Sequence, residues 1–144
     1  MELNFLETKV SYDRVGEDGL NTKVNEVYLV QGCTFSEIEM RIIEELQPFV
    51  TGECNINKIE RTKYNELVDS ASDIADKWFK CKIAMITIDE VSAKEKKNKV
   101  LILVKAEDVD NAIKELHKYL ESSVCDYELV SVTDSPIVDV FKID

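Results

Sequence analysis

Two stretches of this chain, residues 3–68 and 77–142, carry the same succession of strand, turn, cap and helix signals, and that repetition limits its fold more than any motif does. Val27-Tyr28-Leu29-Val30 falls on Leu101-Ile102-Leu103-Val104 at a shift of 74. The same shift lays Thr34 on Asp108, Phe35 on Val109, Ile38 on Ala112, Ile42 on Leu116 and Leu46 on Leu120. Upstream, Leu6–Val10 meets Phe79–Ile83 at 73, so a one-residue slip belongs to the intervening hairpin, where an insertion costs least. Ile56, Ile59 and Tyr64 meet Leu129, Val132 and Ile137, again at 73. The copies agree in the order of their signals more than in identity, and two unrelated α/β units are the alternative.

Each copy reads as ββαβ. Over Phe5–Tyr12, Leu6, Thr8 and Val10 alternate with Glu7, Lys9 and Ser11, the period of a strand with one buried face. Gly16-Glu17-Asp18-Gly19 supplies the turn and Val24–Gln31 the return strand. Thr34 and Glu37 have capping-box spacing ahead of an apolar stripe of Phe35, Ile38, Ile42 and Leu46, widened by Ile43 and ended by Pro48. Glu53–Arg61 is the third strand. In the second copy, strands at Trp78–Ile83 and Lys99–Lys105 flank a turn near Ala93–Lys97. Asp108 caps a helix with the stripe Val109, Ala112, Ile113, Leu116 and Leu120, and Tyr127–Thr133 closes the copy.

The expected fold is α+β: a tandem ββαβ pseudo-repeat of antiparallel sheets, each with one long helix packed on one face. Residues 1–144 then form one compact pseudo-symmetric domain, with a first unit at 3–68, a linking helix at 69–76 capped by Ser70 or Ser72, and a second unit at 77–144. Each copy alone is marginal in size, so the two are expected to pack together.

The net charge is −11, from 29 acidic and 18 basic residues, a balance that repels polyanions at long range. No apolar run is long enough to span a bilayer and the N-terminus lacks the basic start of a signal peptide, so a cytoplasmic protein with no membrane partner is expected. Cys33, Cys54, Cys81 and Cys125 include no Cys-x-x-Cys pair, and the position of the sole histidine, His117, does not suggest a zinc module. They read as reduced thiols, with disulfides as the alternative and no metal site.

No P-loop, G-x-G-x-x-G, G-x-S-x-G or H-E-x-x-H is present, so no catalytic, cofactor-binding or metal-binding residue is assigned. His117 lies at the edge of the second helical stripe, where a packed or solvent-tipped role outweighs catalysis. The strongest local anomaly is cationic: Trp78, Lys80 and Lys82 share one strand face, and Lys94, Lys96 and Lys97 lie on the adjoining hairpin. An aromatic beside lysines is what single-strand nucleic-acid platforms use. The bland reading has Trp78 covering the seam between copies and the lysines balancing an acidic surface. Asp134–Phe141, alternately acidic and apolar, is either a packed segment or a docking peptide that adds to a sheet edge.

Several of these blocks also resemble a known family. Phe35–Glu45, Thr51-Gly52-Glu53, Trp78–Lys82 and Asp134–Phe141 are similar to an uncharacterised domain-of-unknown-function family of Bacteroidota and their tailed phages, including crAss-like phages. That resemblance covers nearly the full chain. It implies a small intracellular protein of bacterial or phage origin, with no established activity, cofactor or catalytic residue.

The leading expectation is a non-enzymatic, macromolecule-binding or accessory module with a protein partner. Single-stranded nucleic acid, bound through Trp78, Lys80, Lys82 and the hairpin lysines, is the first alternative, and an acidic polynucleotide mimic is the second.

Overall fold

In chain order the elements are β1 (Phe5–Val15), β2 (Asn21–Gln31), α1 (Phe35–Leu46), β3 (Thr51–Arg61), β4 (Glu66–Val68), β5 (Lys77–Ile88), β6 (Glu95–Ala106), α2 (Val109–Leu120), β7 (Asp126–Asp134) and β8 (Ile137–Phe141). They come from a computed structural model that describes residues 5–70, 73–123 and 125–143. Among these the fold is mixed α+β, with two antiparallel-rich sheets and two helices. The chain divides into unit 1, Met1–Thr62 with Pro136–Asp144, and unit 2, Lys63–Ser135.

Unit 1 is built on the β1–β2 hairpin. Its turn closes with Gly16 N–H donating to the Leu20 carbonyl at 2.9 Å, and Gly19 takes the positive φ of 78° that the reversal requires. The sheet order is β3-β1-β2-β8, with β8 parallel to β2 and the other pairs antiparallel. Thr34 caps α1, its hydroxyl accepting from the Glu37 N–H at 3.2 Å. The Glu37 carboxylate reaches back one residue beyond the expected partner and accepts from the Cys33 N–H at 3.1 Å. Ile38, Ile42 and Leu46 pack with Leu6, Val10, Tyr12, Tyr28 and Val30, so α1 lies on the face where β1 and β2 pair Leu6 with Val30 and Val10 with Glu26.

In unit 2 the order is β4-β6-β5-β7, with β4 parallel to β6 and the other pairs antiparallel. Asp108 caps α2, accepting from the Asn111 N–H at 2.7 Å. Ala112, Leu116 and Leu120 pack on Phe79, Cys81, Ile83, Ile102 and Val104. All four cysteines are free, and burial pushes the Cys81 thiol up to about 11. Among the described residues no helix is long and apolar enough to cross a membrane.

Matched positions carry matched pairings. β6 pairs with β4 as Ile102↔Glu66, Leu103↔Leu67 and Val104↔Val68; β2 pairs with β8 as Tyr28↔Asp139, Leu29↔Val140 and Val30↔Phe141. These are the same pairs at shifts of 74 and 73. The slip falls in the hairpin loops. Residues 17–19 separate Gly16 from Leu20 in unit 1, whereas residues 90–93 separate Asp89 from Lys94 in unit 2.

Four expectations need correction. Residues 69–76 contain no helix among those described, and residues 71 and 72, including the candidate cap Ser72, lie outside them. So short a segment with three aspartates does not repay helix nucleation. A strand, β4, precedes it instead. Second, neither of the two expected ββαβ segments closes on itself: Glu66–Val68 supplies β4 to unit 2, and Ile137–Phe141 supplies β8 to unit 1. Third, the second hairpin turns at Glu90–Ser92, ahead of Ala93–Lys97, because the Asp89 carboxylate accepts from the Val91 N–H at 2.9 Å and fixes the reversal there. Fourth, Phe35, Ile43 and Val109 are exposed, leaving narrower buried stripes than the periodicity predicts.

Candidate functional site

Alternation along β5 does place Trp78, Lys80 and Lys82 on one face, opposite the side that packs on α2. Cross-strand pairing brings Lys105, Lys99 and Lys97 of β6 to that same face, through Trp78↔Lys105, Ala84↔Lys99 and Ile86↔Lys97. Lys96 pairs with Thr87 and belongs to the other face, and Lys94 precedes β6 at the loop. Trp78 itself is only 2% exposed, and the Lys105 ammonium stands 5.8 Å from its ring centroid. A ring so enclosed offers no face on which a base could stack. Lys97 is also partly neutralised, its ammonium lying 3.2 Å from Glu128 across the sheet. Five lysines therefore gather on one face of unit 2 as a charged surface without an aromatic platform.

A second surface was not singled out by periodicity. On α1, Met40 is 72% and Ile43 51% exposed, three residues apart and therefore neighbours on the helix surface. Phe35 in the first turn and Phe49 just beyond the last are exposed as well. The exposed acids between them are Glu37, Glu39 and Glu44, while the one cation of the helix, Arg41, is half-buried and held by Glu45 at 2.8 Å and by the Lys142 carbonyl at 3.0 Å. The outer face of α1 is thus apolar with an acidic surround. Its sequence signal was an excess of large apolar residues over what one buried stripe can hold.

Unit 1 also encloses a polar cluster. The phenols of Tyr12 and Tyr28 both donate to the Glu26 carboxylate, Tyr28 at 2.7 Å. Burial first, and then the bond to Glu26, push Tyr12 up to about 12 and hold Tyr28 above the ordinary phenol range. Two neutral donors on one carboxylate form a satisfied structural network, with no nucleophile or proton relay. Thr8, directly across from Tyr28, is buried with no hydrogen-bond partner for its hydroxyl.

His117 is exposed at the C-terminal end of α2, where its Nδ1 lies 2.7 Å from the Tyr127 hydroxyl. Both border an open recess of about 590 Å³ that Cys125, Asp126 and Glu121 also line. No group of His, Cys, Asp and Glu among the described residues is arranged to hold a metal ion. Neither side chain is buried enough for the recess to exclude water.

Over residues 4–143 the chain matches the family described as Domain of unknown function (DUF4494), and it belongs to that family. No curated protein and no solved structure matches it.

Proposed function

We propose that this member of the family is a non-enzymatic binding module whose contact surface for a protein partner is the outer face of α1. The supporting observation is the exposure of Met40 and Ile43, neighbours three residues apart on a helix whose other face already fills the core. Large apolar side chains grouped in this way mark interaction sites more often than scattered ones do. The flanking glutamates favour a partner whose apolar contact is bordered by lysine or arginine.

The two units further support a reading as descendants of one duplicated segment, since strand order and register agree at matched positions. Against that background the helix exteriors diverge. Met40, Ile43 and Phe49 correspond to Lys114, His117 and Ser123, so one helix has an apolar exterior and the other a polar one.

Affinity capture from a bacterial lysate with the wild-type chain and with Met40→Asp/Ile43→Asp tests the proposal. A protein retained by the first and lost from the second, at unchanged melting temperature, is the expected result. Identical captured sets would defeat it.

The lysine face of unit 2 favours a second reading, electrostatic contact with a polyanion through Lys80, Lys82, Lys97 and Lys99. Binding would then be abolished by moderate salt and would leave Trp78 fluorescence unquenched.

A further inference from the structure

Unit 1's sheet is completed by a strand that the chain supplies only after passing through all the strands of unit 2. β8 is seated on β2 much as an added peptide seats on a sheet edge. Ile137 is buried, and the Phe141 ring stacks on Tyr28 with centroids 5.2 Å apart and planes 13° from parallel. Arg41 covers the same ring at 5.7 Å and donates to the Lys142 carbonyl, while the Ile143 N–H donates to Gln31 Oε1 at 3.0 Å. Every partner in these contacts lies within residues 5–62.

β8 is joined to β7 by Ser135 and Pro136 alone. The Ser135 N–H donates to the Trp78 carbonyl at 2.9 Å, which fastens the start of the connection to unit 2. Pro136 has a fixed φ and biases Ser135 toward extended backbone. The connection is accordingly a short extended arm, and the contacts that seat β8 are indifferent to which chain supplies it. Exchange of an identical element preserves all of them.

We propose that the slot on β2 also accepts residues 137–143 of a second copy, giving a strand-exchanged dimer in which each unit 1 is closed by the other chain's β8. A short tether gives the chain's own strand an effective concentration on the order of millimolar, so exchange competes only when chains refold at comparable concentration.

The test is to refold the full chain at about 1 mM and at about 10 μM and to measure mass by light scattering. A mixture of ¹³C-labelled and unlabelled chains refolded together then reports which molecule supplies each strand. The expected result is a dimer at the higher concentration that persists on dilution, with intermolecular NOEs between Tyr28 and Phe141. Deleting Ser135 should lower the concentration needed for the dimer by about tenfold or more, and a Gly-Ser insertion before Pro136 should raise it. The insertion keeps the test decisive if the deletion does not fold. Failure of the wild-type chain to dimerise at the higher concentration, or a dimer whose Tyr28–Phe141 NOEs are all intramolecular, would overturn the proposal.

Discussion

Where unit 1 sets Tyr12, Glu26 and Tyr28 on the helix-facing side of its sheet, unit 2 has Met85, Val100 and Ile102 at the corresponding positions. The same strand order is thus stabilised in two ways. In unit 2 the interior is apolar side chains and a free thiol. In unit 1, part of that volume is a hydrogen-bonded carboxylate with two phenols, together with a buried Thr8 hydroxyl where unit 2 has Cys81. Strand order alone does not require a polar interior. A network of this kind raises the cost of imperfect packing in one unit and leaves the other tolerant.

Matched core truncations give the broadest comparison and the largest effects. Ile42→Ala and Leu116→Ala remove fully buried side chains at corresponding positions, and each should cost about 2–5 kcal/mol in urea unfolding. Costs differing by more than about 2 kcal/mol would show that the cores are not equivalent in rigidity. Glu26→Val is next. It leaves two buried phenols without their acceptor and should cost about 1–3 kcal/mol, whereas Tyr12→Met/Glu26→Val/Tyr28→Ile, which imports unit 2's residues, should recover most of it. A triple variant no better than the single one would break the comparison.

The same cluster predicts an alkaline pH dependence in unit 1, beside the one that the buried Cys81 thiol gives unit 2. Both phenols titrate higher in the folded chain than the ordinary value of 10.0, so folding favours their neutral forms. Their contribution is complete below pH 10 and is lost as the pH rises toward 12 and beyond. Chemical denaturation at stepped alkaline pH should show this loss, and Tyr12→Phe/Tyr28→Phe should reduce it, leaving the part that Cys81 contributes.

Packing at the start of each helix offers a narrower test. A Cβ at Gly32 would approach Ile38 Cδ1 to 2.8 Å, whereas the corresponding pair in unit 2 is Ala106 with Ala112. Gly32→Ala should cost about 1–3 kcal/mol, and adding Ile38→Ala should be less than additive because it vacates the colliding position. The smallest effect lies in the hairpins. Ala93 holds φ at 57°, a conformation that Gly19 adopts at the corresponding place in unit 1 without steric cost. Ala93→Gly should stabilise the chain by about 1 kcal/mol or less and Gly19→Ala should destabilise it by a similar amount, read as small opposite shifts in melting temperature.

The comparison also separates what pattern alone discloses from what it does not. The caps at Thr34 and Asp108 and the slip in the hairpin are local, set by hydrogen-bond spacing and loop length, and were legible. Apolar content marked Ile137–Phe141 as packed, but no local signal says which sheet a strand joins, and β8 took the edge of unit 1. Alternation assigned Trp78 to a face without saying whether that face is covered. Glu26 stood in plain view at an inward strand position; its meaning required the two tyrosines that flank it in space.

The route of β8 has a consequence for synthesis. As the chain leaves the ribosome, β1, β2, α1 and β3 are complete long before residues 137–141 appear, whereas unit 2 has all its strands once Asp134 has emerged. The sheet begun first is therefore the last to be closed. Throughout that interval β2 presents an unpaired edge to whatever strand is nearby, including those of neighbouring nascent chains. On a polysome that exposure lasts until β8 is made, and slow decoding anywhere between β2 and β8 would extend the exposure of a segment made more than a hundred residues earlier.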